Sequence, residues 1–168
     1  MTKLAGTKVL VAGAGVTGRS AAEALLAAGD SLGDEGMIDR GLAALEALLE
    51  LETRDGHLSV TGPDGRGPGE TGVLFDQQPI EVAAIAAAAE RAFALTDDPR
   101  WREEVLRARG WFLGDNDVGV PMVDVMTGAG FDGLEAEGRN ENRGAESTLA
   151  ALDAFQRASA LDAPAARG

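Results

Sequence analysis

Seven carboxylates, Asp76, Glu81, Asp117, Asp124, Asp132, Glu141 and Glu146, fall where they could surround a cleft in this sequence of 168 residues. Paired carboxylates are what glycoside hydrolysis needs, one as proton donor and one as nucleophile or base. Amides stand beside them: Gln77 follows Asp76, and Asn140 and Asn142 flank Glu141. A neutral amide next to a carboxylate both donates to and accepts from hydroxyls, so Asn140, Glu141 and Asn142 are the residues best suited to touch a sugar. The same acids have a second use. Asp76 stands at a helix start, Glu146 lies in a first turn where negative charge complements the helix dipole, and Asp115, Asp117 and Asp132 stand near glycines where Asx turns form. Capping and loop bracing thus compete with sugar contact, and no residue is assigned to catalysis. His57 is the sole histidine and cysteine is absent, so His57 reads as a packed or solvated side chain. Asp115-Asn116-Asp117-Val118-Gly119 lacks the third ligand and the later glutamate of a calcium loop, with Met126 at that later position, so no metal is expected.

A different chemistry is written at the start of the chain. Val9, Leu10 and Val11 read as a buried strand, Gly13-x-Gly15-x-x-Gly18 as a glycine turn, and the following residues as a helix with Ala21, Ala24, Leu25 and Ala28 on one face. In this context Gly13 permits the tight turn, Gly15 lets backbone amides approach a phosphate, and Gly18 lets helix and strand pack closely. The unit is incomplete. A second parallel strand ending at an acidic residue should follow, yet Asp30 to Gly36 is turn-forming, and Asp34 and Glu35 lie at the right distance on no strand. A Walker lysine motif is also missing, so no cofactor is expected.

Helices must position the acids. Ile38, Leu42, Leu45 and Leu49 form one apolar stripe, ended by Arg54-Asp55-Gly56, after which His57 to Leu74 reads as a Gly/Pro-rich loop. Asp76 and Pro79 open a second helix with the stripe Val82, Ile85, Ala89 and Phe93. Asp98-Pro99 opens a third, with Trp101, Val105, Ala108 and Phe112 on its core face and Trp111 beside it. Asn142-Arg143-Gly144 opens a fourth, carrying Ala145, Leu149, Leu152 and Phe155. Between the last two runs a loop of about thirty residues, far beyond the usual helix connection of roughly 2–8. Val118, Val120, Met122, Val123, Val125, Met126 and Phe131 are interleaved through it, which predicts an ordered loop.

The totals bound the partners. A net charge of -13 repels phosphate backbones and anionic lipid, so nucleic acid and membrane surfaces are not expected partners. No apolar run reaches the ~18 residues of a membrane span, and Met1 to Leu10 does not read as a signal peptide, so the expected location is cytoplasmic. Much of the 45% hydrophobic content is alanine, which predicts a core of modest stability. Lys3, Lys8 and Arg19 against Glu23 and Asp30 leave residues 1–30 slightly basic, whereas the rest is strongly acidic and has no lysine. The expected organisation is a βα unit over 1–30, a helical domain over 31–162 and a frayed tail over 163–168.

Two resemblances sharpen these expectations. The stretch LAGTKVLVAGAGVTGRSAAEALLAAG resembles the opening of the D-glutamate-adding Mur ligase of peptidoglycan synthesis, whose loop here belongs to the domain holding the UDP-muramoyl substrate. The motifs FDQQPIE (75–81), WFLGDNDVGVP (111–121), TGAGFDGL (127–134) and NENRGAESTLA (140–150) make residues 31–160 resemble the C-terminal part of a helical domain of bacterial glycosyltransferases. That domain is similar to the (α/α) toroid of six-hairpin glycosidases, where polar loops at one mouth line a sugar-binding cleft. The resemblance departs at Arg143, where the motif has Gln, and at Leu58, where an aromatic follows the histidine. It implies a mainly α protein: a partial (α/α) toroid of about four antiparallel helices, preceded by one Rossmann-like βα unit. It implies a carbohydrate-related binding or scaffolding role, with Asp76, Gln77, Asp117, Asp132, Asn140, Glu141, Asn142 and Glu146 facing a glycan or sugar-nucleotide. Exposed helix faces of a partial ring imply self-association. The alternatives are a nucleotide-binding or Mur-ligase-like enzyme fragment using Gly13, Gly15 and Gly18, or a chimeric chain with no natural activity.

Overall fold

A computed structural model describes residues 16–66 and 69–162, with side chains from residue 21 onward. The expected strand at Val9–Val11, the glycines Gly13 and Gly15, and the tail from Ala163 lie outside these residues. Helices dominate: α1 Val16–Leu32, α2 Glu35–Glu52, α3 Pro79–Thr96, α4 Pro99–Phe112 and α5 Ala145–Asp162. Two antiparallel hairpins accompany them, β1 Thr53–Arg54 with β2 His57–Leu58, and β3 Leu134–Glu135 with β4 Gly138–Arg139.

The turn expected across Asp30 to Gly36 narrows to Gly33 and Asp34. Gly33 takes a left-handed φ of 62° after the last residue of α1, and Asp34 caps α2 by accepting from Met37 N–H at 3.0 Å. The buried face of α1 is Ala22, Leu26 and Gly29, so Ala24 of the expected stripe points outward. Helix α1 is continuous through Gly29 because α2 packs on it there: a Cβ at Gly29 would meet Ile38 Cγ1 at 2.8 Å. At the α2 end, Asp55 and Gly56 both have positive φ, the backbone twist of a two-residue hairpin, so His57 and Leu58 pair back as a strand instead of starting a loop.

Helix α3 is the centre. It contacts α1, α2, α4 and α5 and is buried on nearly every side, with Val82, Ile85 and Ala83, Ala86, Ala87, Ala88, Ala89 and Ala92 in the core. Small side chains let four neighbours approach one axis. The α4 expectation holds: Asp98 accepts from Arg100 N–H at 3.0 Å, Pro99 opens the helix, and Trp101, Val105, Ala108 and Phe112 are buried together with Trp111. The expected α5 stripe is overturned. Leu149 and Leu152 are 63% and 50% exposed, and the helix buries Ser147, Ala150, Ala151, Ala154 and Ala158 against α3 and α4. Contacts from Arg102 to Asp162 and from Phe112 to Phe155 run α5 antiparallel to α4.

One cluster, with Leu58, Val60, Ile85, Trp111, Phe112, Met122, Phe131 and Leu134, joins α3 and α4 to the loops; a second, with Leu26, Leu45, Ala92 and Trp101, seals α1 and α2 onto them. The α1–α2 crossing depends on Gly41, where a Cβ would lie 2.8 Å from Leu26 Cγ and 3.1 Å from Leu26 N. Gly41→Ala gains about 1 kcal/mol of helix propensity. It costs about 1–3 kcal/mol of overpacking because the Leu26 backbone cannot move aside. A net loss of about 1 kcal/mol is expected in chemical denaturation, and an increase in stability would refute this close crossing.

Candidate functional site

The four sequence motifs meet at one end of the helices, and Gln77 joins them. It is fully buried. Its backbone exchanges two hydrogen bonds with Leu134, each 2.9 Å, so the FDQQPIE stretch runs beside the start of β3. Its side chain bridges two more motifs: Trp111 Nε1–H donates to Gln77 Oε1 at 3.2 Å, and Gln77 Nε2–H donates to Asp117 Oδ2 at 2.6 Å. The other oxygen, Asp117 Oδ1, lies 3.1 Å from His57 Nε2 on β2, and since a carboxylate only accepts, the ring nitrogen is the donor. The Asp117 side chain is 3% exposed. Gln77 and Asp117 therefore spend their polar atoms on each other and on Trp111 and His57; they brace the site from within.

The long loop is ordered, as its apolar residues imply, but its braces differ from the expected ones. Asn116, not Asp115 or Asp117, holds the turn: its Oδ1 accepts from Val118, Gly119 and Val120 N–H at 3.2, 2.9 and 3.3 Å, while its Nδ2 donates to the Trp111 and Val120 carbonyls. Residues 122–131 then fold back, with Met122 N–H on Phe112 O and Phe131 N–H on Met122 O. Asp132 Oδ1 accepts from Gly144 N–H and Ser147 Oγ, both at 2.6 Å, which caps the start of α5 from outside that helix. Asp132 N–H donates to Asn142 O, and Asn140 N–H to Gly133 O, locking the NENRG stretch to TGAGFDGL. Gly130 is needed here, because a Cβ would lie 2.3 Å from Ser147 O.

Asp76 is no helix cap. The N-cap of α3 is Gln78, whose side chain makes no capping bond, while Pro79 takes the first helical position as expected. Gly62 packs so closely under the cis peptide between Phe75 and Asp76 that a Cβ would lie 2.5 Å from Phe75 O, and the Asp76 carboxylate is turned toward Gly133 instead of the helix. Asp76 Oδ1 is buried and has no hydrogen-bond partner among the described residues. Glu81 is buried in the first turn of α3. Asn140 is half-buried, with Oδ1 accepting from Asn142 N–H at 3.0 Å, whereas Glu141, Asn142 and Glu146 are exposed. Gly18 lies in α1, far along the chain from these groups.

Beside this cluster a pocket of about 260 Å³ is lined by Pro121, Val123, Asp124, Val125, Phe131, Arg139 and Arg143. The Arg139 and Arg143 guanidinium carbons lie 3.6 and 4.8 Å from the Phe131 ring centroid. Arg143 Nη1 donates to Asp124 Oδ2 at 3.0 Å, and Arg139 donates to Glu141 and to the Pro121 carbonyl. The Met126 N–H, the Thr127 hydroxyl and the Arg143 charge hold the Asp124 carboxyl below its ordinary value, against the opposing effect of desolvation. Sequence reasoning missed this pair of arginines, and it missed Glu52, a fully buried carboxylate accepting from Thr61 N–H and Thr61 Oγ1 at 2.6 Å each. A larger cleft of about 470 Å³ between α2 and α4 contains none of the expected site residues, and its arginines are closed on carboxylates, Arg100 on Glu46 and Arg107 on Glu104.

Among the described residues no group of three or more acidic or histidine side chains is arranged to hold a metal ion, and no helix is long and apolar enough to cross a membrane. The chain matches no protein-family model and no curated protein.

The bridge through Gln77 makes a prediction. Gln77→Leu leaves the buried Trp111 N–H and the Asp117 carboxylate each short of a partner, and at about 1–3 kcal/mol per orphaned group, more for a charge, it should cost about 3–5 kcal/mol. Gln78→Leu, next to it but half-buried, should cost under about 1 kcal/mol. Denaturant midpoints check this, and equal effects of the two changes would remove Gln77 from its central position.

Proposed function

We propose that this chain is a carbohydrate-binding or scaffolding module without catalysis of its own, derived from a glycosyltransferase-associated (α/α) toroid and acting in the cytoplasm. The observation that carries the reading is the convergence of four motifs, up to 65 residues apart, through Gln77–Leu134, Gln77–Asp117, Asn140–Gly133 and Asp132–Ser147. Convergence of polar loops at one end of a helical array is what a sugar cleft at the mouth of a toroid requires, and the resemblance of residues 31–160 supports it. Within the cluster the roles divide by which side chains are committed to bonds that join the segments. Gln77, Asp117 and Asp132 are the frame; Asn140, Glu141 and Asn142 are the surface that meets hydroxyls, with exposed Glu146 in the first turn of α5, while the unpartnered oxygen of Asp76 is buried near Gly133.

The test is thermal unfolding of the full chain titrated with oligosaccharides, UDP-sugars and ATP. A glycan at 100 times its dissociation constant should add about 2.7 kcal/mol to stability. Asn142→Ala and Glu141→Gln should each weaken that glycan about tenfold, about 1.4 kcal/mol, while leaving the unliganded melting temperature unchanged. A shift with ATP or UDP alone would point instead to the Gly13, Gly15, Gly18 turn, and no shift with any ligand would reject the reading.

Self-association belongs to the same proposal. Leu149 and Leu152 lie on the outer face of α5, and Val125 and Met126 at the loop tip are 76% and 88% exposed. Sedimentation should show a concentration-dependent dimer that Leu149→Lys dissolves; a monomer at all concentrations would reject it.

A further inference from the structure

We propose that the pocket walled by Phe131 takes an anionic sugar, a ring bearing a carboxylate, with Arg139 and Arg143 on the acid and the apolar wall of Pro121, Val123 and Phe131 against the ring. The inference rests on the carbohydrate reading above and names the class of glycan. Its first ground is charge. The chain carries -13, yet this pocket is lined by two arginines and one aspartate, and with Glu141 on Arg139 the charges balance, a neutral patch in an acidic protein. In so acidic a chain an anion is repelled least where the charges balance. The second ground is geometry. Both guanidiniums are held by the Phe131 ring, and a planar guanidinium matches a carboxylate with two parallel N–H bonds. A guanidinium has five N–H donors. The bond to Asp124 employs only Nη1 of Arg143, and the bonds of Arg139 to Glu141 and Pro121 employ Nε and Nη1, so Nη2 of each arginine is in none of these bonds.

Size supplies the third ground. About 260 Å³ is below the roughly 300–1,000 Å³ that encloses a drug-sized molecule, so the pocket suits one ring of a chain whose neighbours run over Asn140 and Asn142. Asp124 both orients Arg143 and offers an acceptor to a ring hydroxyl. The larger α2–α4 cleft differs in charge, because its lining sets three glutamates, Glu46, Glu50 and Glu104, against two arginines, Arg100 and Arg107.

Titration calorimetry of the full chain with a tetragalacturonate, the neutral tetragalactose of the same linkage, a short acidic peptide and inorganic sulfate tests the proposal. Expected is at least tenfold tighter binding of the uronate than of its neutral counterpart, weakening as salt rises. Arg143→Gln and Arg139→Gln should each abolish that preference, and Arg100→Gln in the other cleft should leave it unchanged. Equal binding of the uronate and neutral sugars would overturn the anionic assignment and leave the carbohydrate reading standing, as would sulfate or the peptide displacing the uronate at equal concentration. Failure of every saccharide would remove both readings. The comparison of the two sugars on the unaltered chain decides the matter even if a variant does not fold.

Discussion

A buried amide holds the loops of this protein to its helices. Gln77 precedes α3, and each half of its side chain is committed: the oxygen to the Trp111 indole on α4, the nitrogen to Asp117 in the long loop. Its backbone secures β3. A buried amide that lost either partner would carry the full desolvation cost of an unpaired polar group, which is larger than the net gain from any one of these bonds. Satisfaction is therefore all or nothing, and it fixes four chain segments at once. His57 extends the network to the β1–β2 hairpin, so the first loop is registered against the second through Asp117.

The frame on which this network sits is made of alanine. Because α3 is surrounded by α1, α4 and α5, its side chains must be small on most sides, and the facing surface of α5 answers with Ala150, Ala151, Ala154 and Ala158. Close axes bury backbone and methyl groups efficiently but leave little apolar area per residue. The large side chains are accordingly concentrated where the loops join: Trp111, Phe112, Met122, Phe131 and Leu134 occupy one cluster with Leu58 and Val60. The apolar mass that stabilises the helices is thus the same mass that fixes the loop end, and at ~25 cal/mol per Å² those few aromatic residues outweigh many alanines.

Sequence patterns reveal the helices with local punctuation and fail where packing decides. Asp98-Pro99 and Pro79 are visible because capping and the missing proline N–H are local matters. The buried side of α5 is not visible, since hydropathy favours Leu149 and Leu152 while the space beside α3 admits only alanine and serine. Asp55-Gly56 signals a turn, but that its flanks pair as strands depends on Leu58 reaching the core. At the candidate site the motif residues are identifiable by type, yet their division into frame and surface is not. Asp117 and Asp132 resemble Asn140 and Glu141 on the page, and only the fold turns the first two inward onto His57, Gln77 and Ser147. Glu52 and Asn116 brace loops through bonds spanning up to nine residues, with no periodicity to betray them.

The arginines complete the division between the two ends of the molecule. Away from the loop cluster they close gaps between helices: Arg102 and Arg109 both reach Asp162, and Arg157 bridges Asp153 to Glu90. Desolvation opposes the charge of Arg157, but the Asp153 and Glu90 carboxylates outweigh it and raise its affinity for the proton. Exposed pairs of this kind contribute only about 0–1 kcal/mol each, so they do not hold the fold together. Their effect is to relieve the repulsion of a chain of 28 acidic residues and 15 basic ones at the places where helices meet. Around Phe131 the guanidiniums are arranged differently. An aromatic ring orients them there, and the acid opposite, Asp124, is held by backbone N–H as well as by Arg143. Arg100 also lies over a ring, that of Trp101, but two guanidiniums sharing one ring separate the Phe131 pocket from the other arginine pairs described in this acidic protein.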